Sequence, residues 1–321
     1  MKVCIIGGAG FIGSHFTDRF LSEEATTAVT LYDNFTSGRE WHYEQHQGDR
    51  RLSVIRGEVA DLDRLTAAMV GHDLVVHLAS NPDIAKAMTD PRVDFDEGTV
   101  LTFSVVEAAR RAGVAEILYA SGSGVYGDLG EIEAQEDHGP MLPSSTYGAS
   151  KLAGEAMLSS YVAMFGITAS AFRFGNVVGP RQTHGVGFDF VRRLRRDPTN
   201  LPILGDGKQS KSYIHVSDVI NAVLHMSRTR TAAFEVFNVA TGDYITVTEI
   251  AELALEVVGL TPETTTFTYS GGDRGWKGDV PIVRLSTSRV TSRGWTCQRS
   301  CSEALRDSMI SMLHDDELGR L

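Results

Sequence analysis

Apolar positions in the first half of the chain follow two alternating patterns. Short continuous runs at Val3 to Ile6, Val29 to Tyr32, Leu52 to Arg56, Leu74 to Leu78 and Ile117 to Ala120 predict strands. Between them, Phe11 to Leu21, Asp61 to Val70 and Val93 to Ala112 repeat with helical spacing. Runs continuous enough to be buried on both faces, separated by helices, are repeated βα units, which build a parallel sheet with right-handed crossovers. The fold class is α/β, a doubly wound parallel sheet.

The second half is less regular. Tyr147 to Phe165 reads as a helix and Ala169 to Phe174 as a strand. Gly175, Gly179, Pro180, Gly185, Gly187, Gly205 and Gly207 then crowd together, as binding loops on a rigid scaffold do. Later elements are a helix near Val216 to Ser227, a strand near Val236 to Val239, a helix from Val247 to Val258 and a C-terminal helix from Ser302 to Leu313. No repeat, low-complexity tract or linker separates two folding units. The expected organisation is a sheet domain over 1–175, with returning segments near 213–240, and a smaller, interleaved α/β C-terminal cap over 176–321 that binds substrate.

Composition narrows the functional classes. Hydrophobic residues make up 42% of the 321 and charged residues 22%, an ordinary globular balance. The net charge of −11 argues against a nucleic-acid partner. The one basic run, Arg192, Arg193, Arg195 and Arg196, reads as a solvated helix face. Cys4, Cys297 and Cys301 form no disulfide framework, and Cys297 and Cys301 lack the further ligands of a metal site. They read as reduced thiols in a cytoplasmic protein. Lys2 to Ile6 is already strand-like and no apolar run reaches the roughly 18 residues of a membrane span, so neither a targeting segment nor a membrane partner is expected.

Gly7-Gly8-Ala9-Gly10-Phe11-Ile12-Gly13 follows the first strand and opens the first helix. Glycine at 7, 10 and 13 permits a tight turn, backbone approach to a pyrophosphate and close helix–strand packing, while the helix N-terminus faces the phosphates. This is a Rossmann-type arrangement. Asp33 ends the second strand twenty residues after Gly13. A carboxylate there accepts from both ribose hydroxyls and repels a 2′-phosphate, which favours NAD over NADP.

Tyr147 and Lys151 stand four apart on a predicted helix and so share one face. An adjacent ammonium stabilises phenolate, and the tyrosine is expected to act as a general base with its pKa lowered. Lys151 is also expected to hydrogen-bond the nicotinamide ribose.

The glycine spacing, with Asp33-Asn34-Phe35-Thr36-Ser37-Gly38, resembles the extended short-chain dehydrogenase/reductases, and within them the UDP-glucose/UDP-galactose 4-epimerases. The resemblance covers nearly the whole chain. It implies that Phe11, Ile12, Asn34, Ser37, Gly38 and Phe174 contribute to the cofactor site, that Glu58 and Val59 flank the adenine, and that Leu78, Ala79, Ser80 and Ser121 line the cofactor. It further implies that Tyr147 removes a sugar hydroxyl proton during transient oxidation to a 4-keto sugar, with NAD regenerated in each cycle.

Two departures stand out. The family places a Ser or Thr four residues before the tyrosine of its Val-Tyr-Gly motif, where this chain has Gly122. Ser123, re-aimed by its flanking glycines, is one replacement for the bridging hydroxyl; Ser121 is another, and a site without a hydroxyl is a third. Gly98 stands where relatives usually carry an Asn that braces the active-site loop.

The same resemblance implies a substrate set. Asn176 is expected to donate to the diphosphate, in a segment that includes Arg181; Gln209, Lys211 and Tyr213 lie on a second loop and Arg274 on a third. Val283 falls at the position that gates bulk at C2 of the sugar, where a small side chain admits an N-acetyl group. Family dehydratases carry an Asp-Glu pair after the Thr, and decarboxylases a Glu at the place of Gly124; neither is present. The reading is an NAD-dependent nucleotide-sugar 4-epimerase. The alternatives are a UDP- or TDP-sugar dehydratase, a UDP-glucuronate epimerase or decarboxylase, and a weakly active nucleotide-sugar-binding protein. Relatives pair the helices corresponding to Val100–Ala112 and Leu152–Phe165 across a two-fold, so a homodimer is expected.

Overall fold

A computed structural model of the chain describes residues 1–81 and 84–321. The residues fall into two compact units, one of Met1–Val125, Ser145–Arg173 and Val223–Phe237, the other of Tyr126–Ser144, Phe174–Ala222 and Asn238–Leu321.

The first unit carries β1 (Lys2–Ile6), α1 (Phe11–Ser22), β2 (Ala28–Asp33), β3 (Leu52–Arg56), α2 (Leu62–Met69) and β4 (Leu74–His77). After these come α3 (Arg92–Asp94), α4 (Leu101–Ala112), β5 (Glu116–Gly122), α5 (Thr146–Phe165) and β6 (Thr168–Phe174). Among the described residues a seven-stranded sheet has the order β11-β6-β5-β4-β1-β2-β3, with β11 at Phe234–Val239. β1 pairs in parallel with both β2 and β4. Strand order therefore reverses between β1 and β4, the switch point beside which open α/β sheets bind ligands, at the carboxyl ends of the strands. Leu78 belongs to no strand: the Leu78 and Ala79 amides both donate to the Ile6 carbonyl, which folds the end of β4 over the end of β1. The apolar runs predicted as strands supply the core, where Ile6, Tyr32, Val75, Ile117 and Ala169 pack with Val105 and Leu158 of the helices.

The stretch expected as one helix from Val93 to Ala112 contains a π-helical turn at Phe95–Val100. The turn sits where Gly98 meets α5: a Cβ at Gly98 would lie 2.4 Å from the Ser150 hydroxyl oxygen. The family's Asn does not fit against Ser150 here.

The second unit contains β7 (Asn176–Val178), α6 (Val186–Arg196), β8 (Asn200–Ile203), β9 (Ser210–Lys211) and β10 (Tyr213–His215). It also holds β12 (Ile245–Thr246), α8 (Val247–Val258), β13 (Thr266–Tyr269), α9 (Ser288–Ser292) and α10 (Cys301–Glu317); α7 spans Val216–Arg228. Its own core gathers Phe190, Leu194, Ile203, Ile250, Leu305 and Met309. The basic run lies on α6, with Arg192, Arg195 and Arg196 exposed. No helix of the described residues is long and apolar enough to cross a membrane.

Candidate active site

In the first unit the glycine loop is packed to its limit. Gly7 has φ +81°, and a Cβ on it would stand 2.8 Å from the Ala79 amide nitrogen. A Cβ on Gly13 would stand 2.4 Å from the Gly7 carbonyl oxygen. Any larger residue would separate α1 from β1 and push the loop off the end of β4. No side chain caps α1 at Gly10, so the first-turn amides of Phe11, Ile12 and Gly13 face the loop mouth, as an anion requires.

Asp33 ends β2 and is 7% exposed. Its carboxylate accepts from the amides of Ala9, at 2.9 Å, and Phe35, at 2.8 Å. Burial raises its pKa, and the Phe35 and Ala9 amides oppose that rise. A Cβ on Gly38 would reach within 2.9 Å of the same carboxylate, so Gly38 keeps open the space above it. Exposed Asn34 donates to exposed Glu58, at 3.1 Å, while Val59 is buried and Ser37 exposed. A cradle that any side chain would fill, ending at a carboxylate, fits a dinucleotide with free ribose hydroxyls.

Ser145 caps α5, its hydroxyl accepting from the Gly148 amide at 3.1 Å. The first turn of that helix holds Tyr147, and the second holds Lys151. Lys151 is 4% exposed. Its Nζ donates to the Ala120 carbonyl at 2.9 Å and lies 5.5 Å from the centre of the Tyr147 ring. Burial drives its pKa down to about 8, and the charge of Asp94 works against the fall. The Tyr147 phenol, beside the Ser80 hydroxyl, is pushed above its usual value by burial, which Ser80 partly offsets and Asp94 reinforces. The expectation of a lowered phenol pKa does not hold for the protein alone: burial disfavours phenolate, and the nearby Asp94 charge adds to that.

Ser121 is buried and donates to Glu155 at 2.6 Å; Glu155 pairs in turn with buried Arg173, also at 2.6 Å. Ser121 thus commits its proton to an internal ion pair. Ser123 is half-buried and starts a short 3-10 turn, Ser123–Tyr126. Neither Gly122 nor Gly124 has a positive φ, so the loop does not depend on glycine in the left-handed region, and a Cβ at Gly122 meets nothing within 4 Å. The position of the missing family hydroxyl is open space.

Several residues of this unit escaped sequence reasoning. Asp94, 1% exposed, accepts from Asn81 at 2.8 Å and from Thr146 at 2.6 Å. His77, wholly buried at the end of β4, is drawn down to about 3 by burial and by the Lys151 charge, and is neutral at physiological pH. An Asp near the start of a long apolar-patterned helix was the one visible signal for Asp94.

The second unit assembles its own polar set. Parallel pairing of β7 with β10 places Asn176 opposite Tyr213, whose buried phenol it hydrogen-bonds. Arg181 adopts φ +66°, a left-handed turn for a non-glycine residue. Lys211 pairs with Asp279 at 2.5 Å. Arg274 pairs with Asp128 at 2.7 Å and donates to the Asp279 carbonyl at 2.8 Å. The two cations expected at a diphosphate are thereby joined through Asp279. Gln209 is buried and donates to the Leu204 carbonyl at 3.2 Å. Half-buried Val283 donates its amide to the Ser210 carbonyl at 3.1 Å, and buried Phe174 ends β6.

Residues 3–240 match the NAD dependent epimerase/dehydratase family. The chain is 30% identical over 313 residues to a UDP-glucose 4-epimerase of Mycolicibacterium smegmatis, covering 95% of this chain and 96% of that one. It is 30% identical over 292 residues to a dTDP-glucose 4,6-dehydratase of Actinoplanes sp., covering 88% and 90%. A crystal structure of UDP-galactose 4-epimerase is similar with a TM-score of 0.86 at 34% identity, over 98% of this chain and 99% of that one. The chain belongs to the NAD dependent epimerase/dehydratase family.

Proposed function

We propose that the chain is a nucleotide-sugar 4-epimerase of the UDP-glucose/UDP-galactose type. The observation that carries this reading is the segment Gly122-Ser123-Gly124, which has a hydroxyl but no carboxylate, in the same unit as the Tyr147–Lys151 pair. Eliminating water needs further proton-moving groups at C5 and C6, and losing CO₂ needs a proton delivered to C5; inverting C4 needs a base, a hydroxyl relay and room for the intermediate to turn.

NAD, when bound, would supply a reversible hydride acceptor. Gly7, Gly10 and Gly13 would admit its pyrophosphate, and Asp33 would take the ribose hydroxyls. Lys151 gives one N–H to Ala120 and has two others for the nicotinamide ribose and for charge stabilisation. With the cofactor bound, Tyr147 would be the group that takes the proton from the C4 hydroxyl and gives it back to the same oxygen. Ser123 bridges phenol and sugar oxygen. Asn176, Arg181, Gln209, Lys211, Tyr213 and Arg274 hold the nucleotide diphosphate, and Val283 leaves room at C2. The chain works as a homodimer through α4 and α5, which expose Phe103 and Phe165 by 44% and 46%.

Product analysis after incubation with UDP-glucose, UDP-galactose, UDP-glucuronate and TDP-glucose tests this. The expected result is the C4 stereoisomer with no net change in NAD. Loss of water or CO₂, or no change in any sugar, would replace the reading with one of its alternatives.

A further inference from the structure

Lys151 is buried with a carbonyl as its direct partner, a costly arrangement for an ammonium group. The groups around it can be named element by element. β4 presents His77, which is neutral. β5 presents the Tyr119 ring, 5.2 Å away. α5 itself presents Tyr147 and, one turn beyond Lys151, Glu155, which is paired with Arg173. From α3 comes Asp94, whose charge acts on both Lys151 and Tyr147.

The Asp94 carboxylate also joins two segments that carry site residues. One oxygen accepts from Asn81, directly after the Leu78–Ser80 segment, and the other accepts from Thr146, the neighbour of Tyr147. The π-helical turn follows at once, and Gly98 within it packs on Ser150 of the catalytic helix. We propose that Asp94 is a positioning residue, which clamps the first turn of α5 to the end of β4 and supplies the countercharge for buried Lys151. The π turn and Gly98 let the helix approach closely enough for this, in the region where relatives rely on an Asn. The role rests on reading Tyr147 and Lys151 as the catalytic pair.

The test separates charge from clamp and does not require the substrate to be known. In lysine-labelled protein, the carbon-13 NMR signal of Lys151 Cε, assigned by comparison with Lys151→Met, should titrate near pH 8. Asp94→Asn should lower that midpoint by about one pH unit, since a neutral amide no longer favours the ammonium form. An unchanged midpoint in folded Asp94→Asn overturns the countercharge. Thr146→Val keeps the carboxylate and deletes one arm of the clamp. It should leave the midpoint in place and lower kcat for UDP-galactose roughly tenfold at constant KM, the loss of a hydrogen bond to a charged group. Parent-like kcat in Thr146→Val overturns the clamp. If UDP-galactose is not a substrate of the parent protein, the NMR titration still decides the countercharge, so that failure is distinguishable from failure of the epimerase reading.

Discussion

Lys151 in the sheet unit and Lys211 in the second unit carry the same charge in opposite settings. Lys151 is buried and hydrogen-bonded to a carbonyl, and burial draws its pKa down to about 8. Lys211 is half-buried and closed on Asp279, as Arg274 is on Asp128. A buried cation without a contacting carboxylate is held for chemistry, because its proton is easily moved and its field is little screened. A partly exposed ion pair such as Arg274–Asp128 contributes only about 0–1 kcal/mol, so its carboxylate can give way to a phosphate at small cost. On the proposed reading, the first unit supplies the reacting groups and the second the groups that exchange a carboxylate for a phosphate.

The largest effects should fall on the buried side of this contrast. Tyr147→Phe should reduce kcat by roughly 10³- to 10⁴-fold, the upper range for a positioned proton-transfer group, with KM nearly unchanged. Steady-state kinetics on UDP-galactose provides the check; a mainly raised KM would mean that Tyr147 binds rather than reacts. Glu155→Gln removes the carboxylate of a buried ion pair with Arg173 and should lower stability by about 3–5 kcal/mol in denaturant unfolding. A loss below about 1 kcal/mol, the range of exposed pairs, would remove the distinction drawn here.

Ser123→Ala should slow kcat by roughly 10²- to 10³-fold if its hydroxyl bridges phenol and sugar. Gly122→Ser, placed in open space, should fold normally, and in the Ser123→Ala background it should restore turnover. Full activity of Ser123→Ala alone would end the assignment. On the exposed side, Arg274→Ala should raise KM by roughly 10- to 100-fold with little change in kcat. Asp128→Asn, which frees Arg274 from its competitor, should lower KM by about two- to fivefold. A raised KM in Asp128→Asn would show that the carboxylate orients Arg274 for substrate rather than competing with it.

What could be read from the sequence was local. The glycine loop, Asp33 and the Tyr147–Lys151 spacing lie within single βα units, where periodicity and turn chemistry fix geometry over a few residues. The Asp94–Thr146 and Ser121–Glu155 contacts join residues 52 and 34 positions apart, and no local pattern predicts them. The phenol shift went astray for a related reason: i,i+4 spacing reports that an ammonium is near, but not that both groups are desolvated. The brief strands of the second unit, such as β9 and β12 at two residues each, are too short to leave a hydrophobic period.

The most direct measurement follows hydrogen at C4. UDP-galactose carrying deuterium at C4 should give UDP-glucose that retains the label at C4 and takes up no solvent hydrogen at any carbon, because hydride leaves and returns within one cycle while Tyr147 exchanges only the hydroxyl proton. Deuterium transferred to C6, label lost to solvent, or unaltered UDP-galactose would contradict the 4-epimerase account.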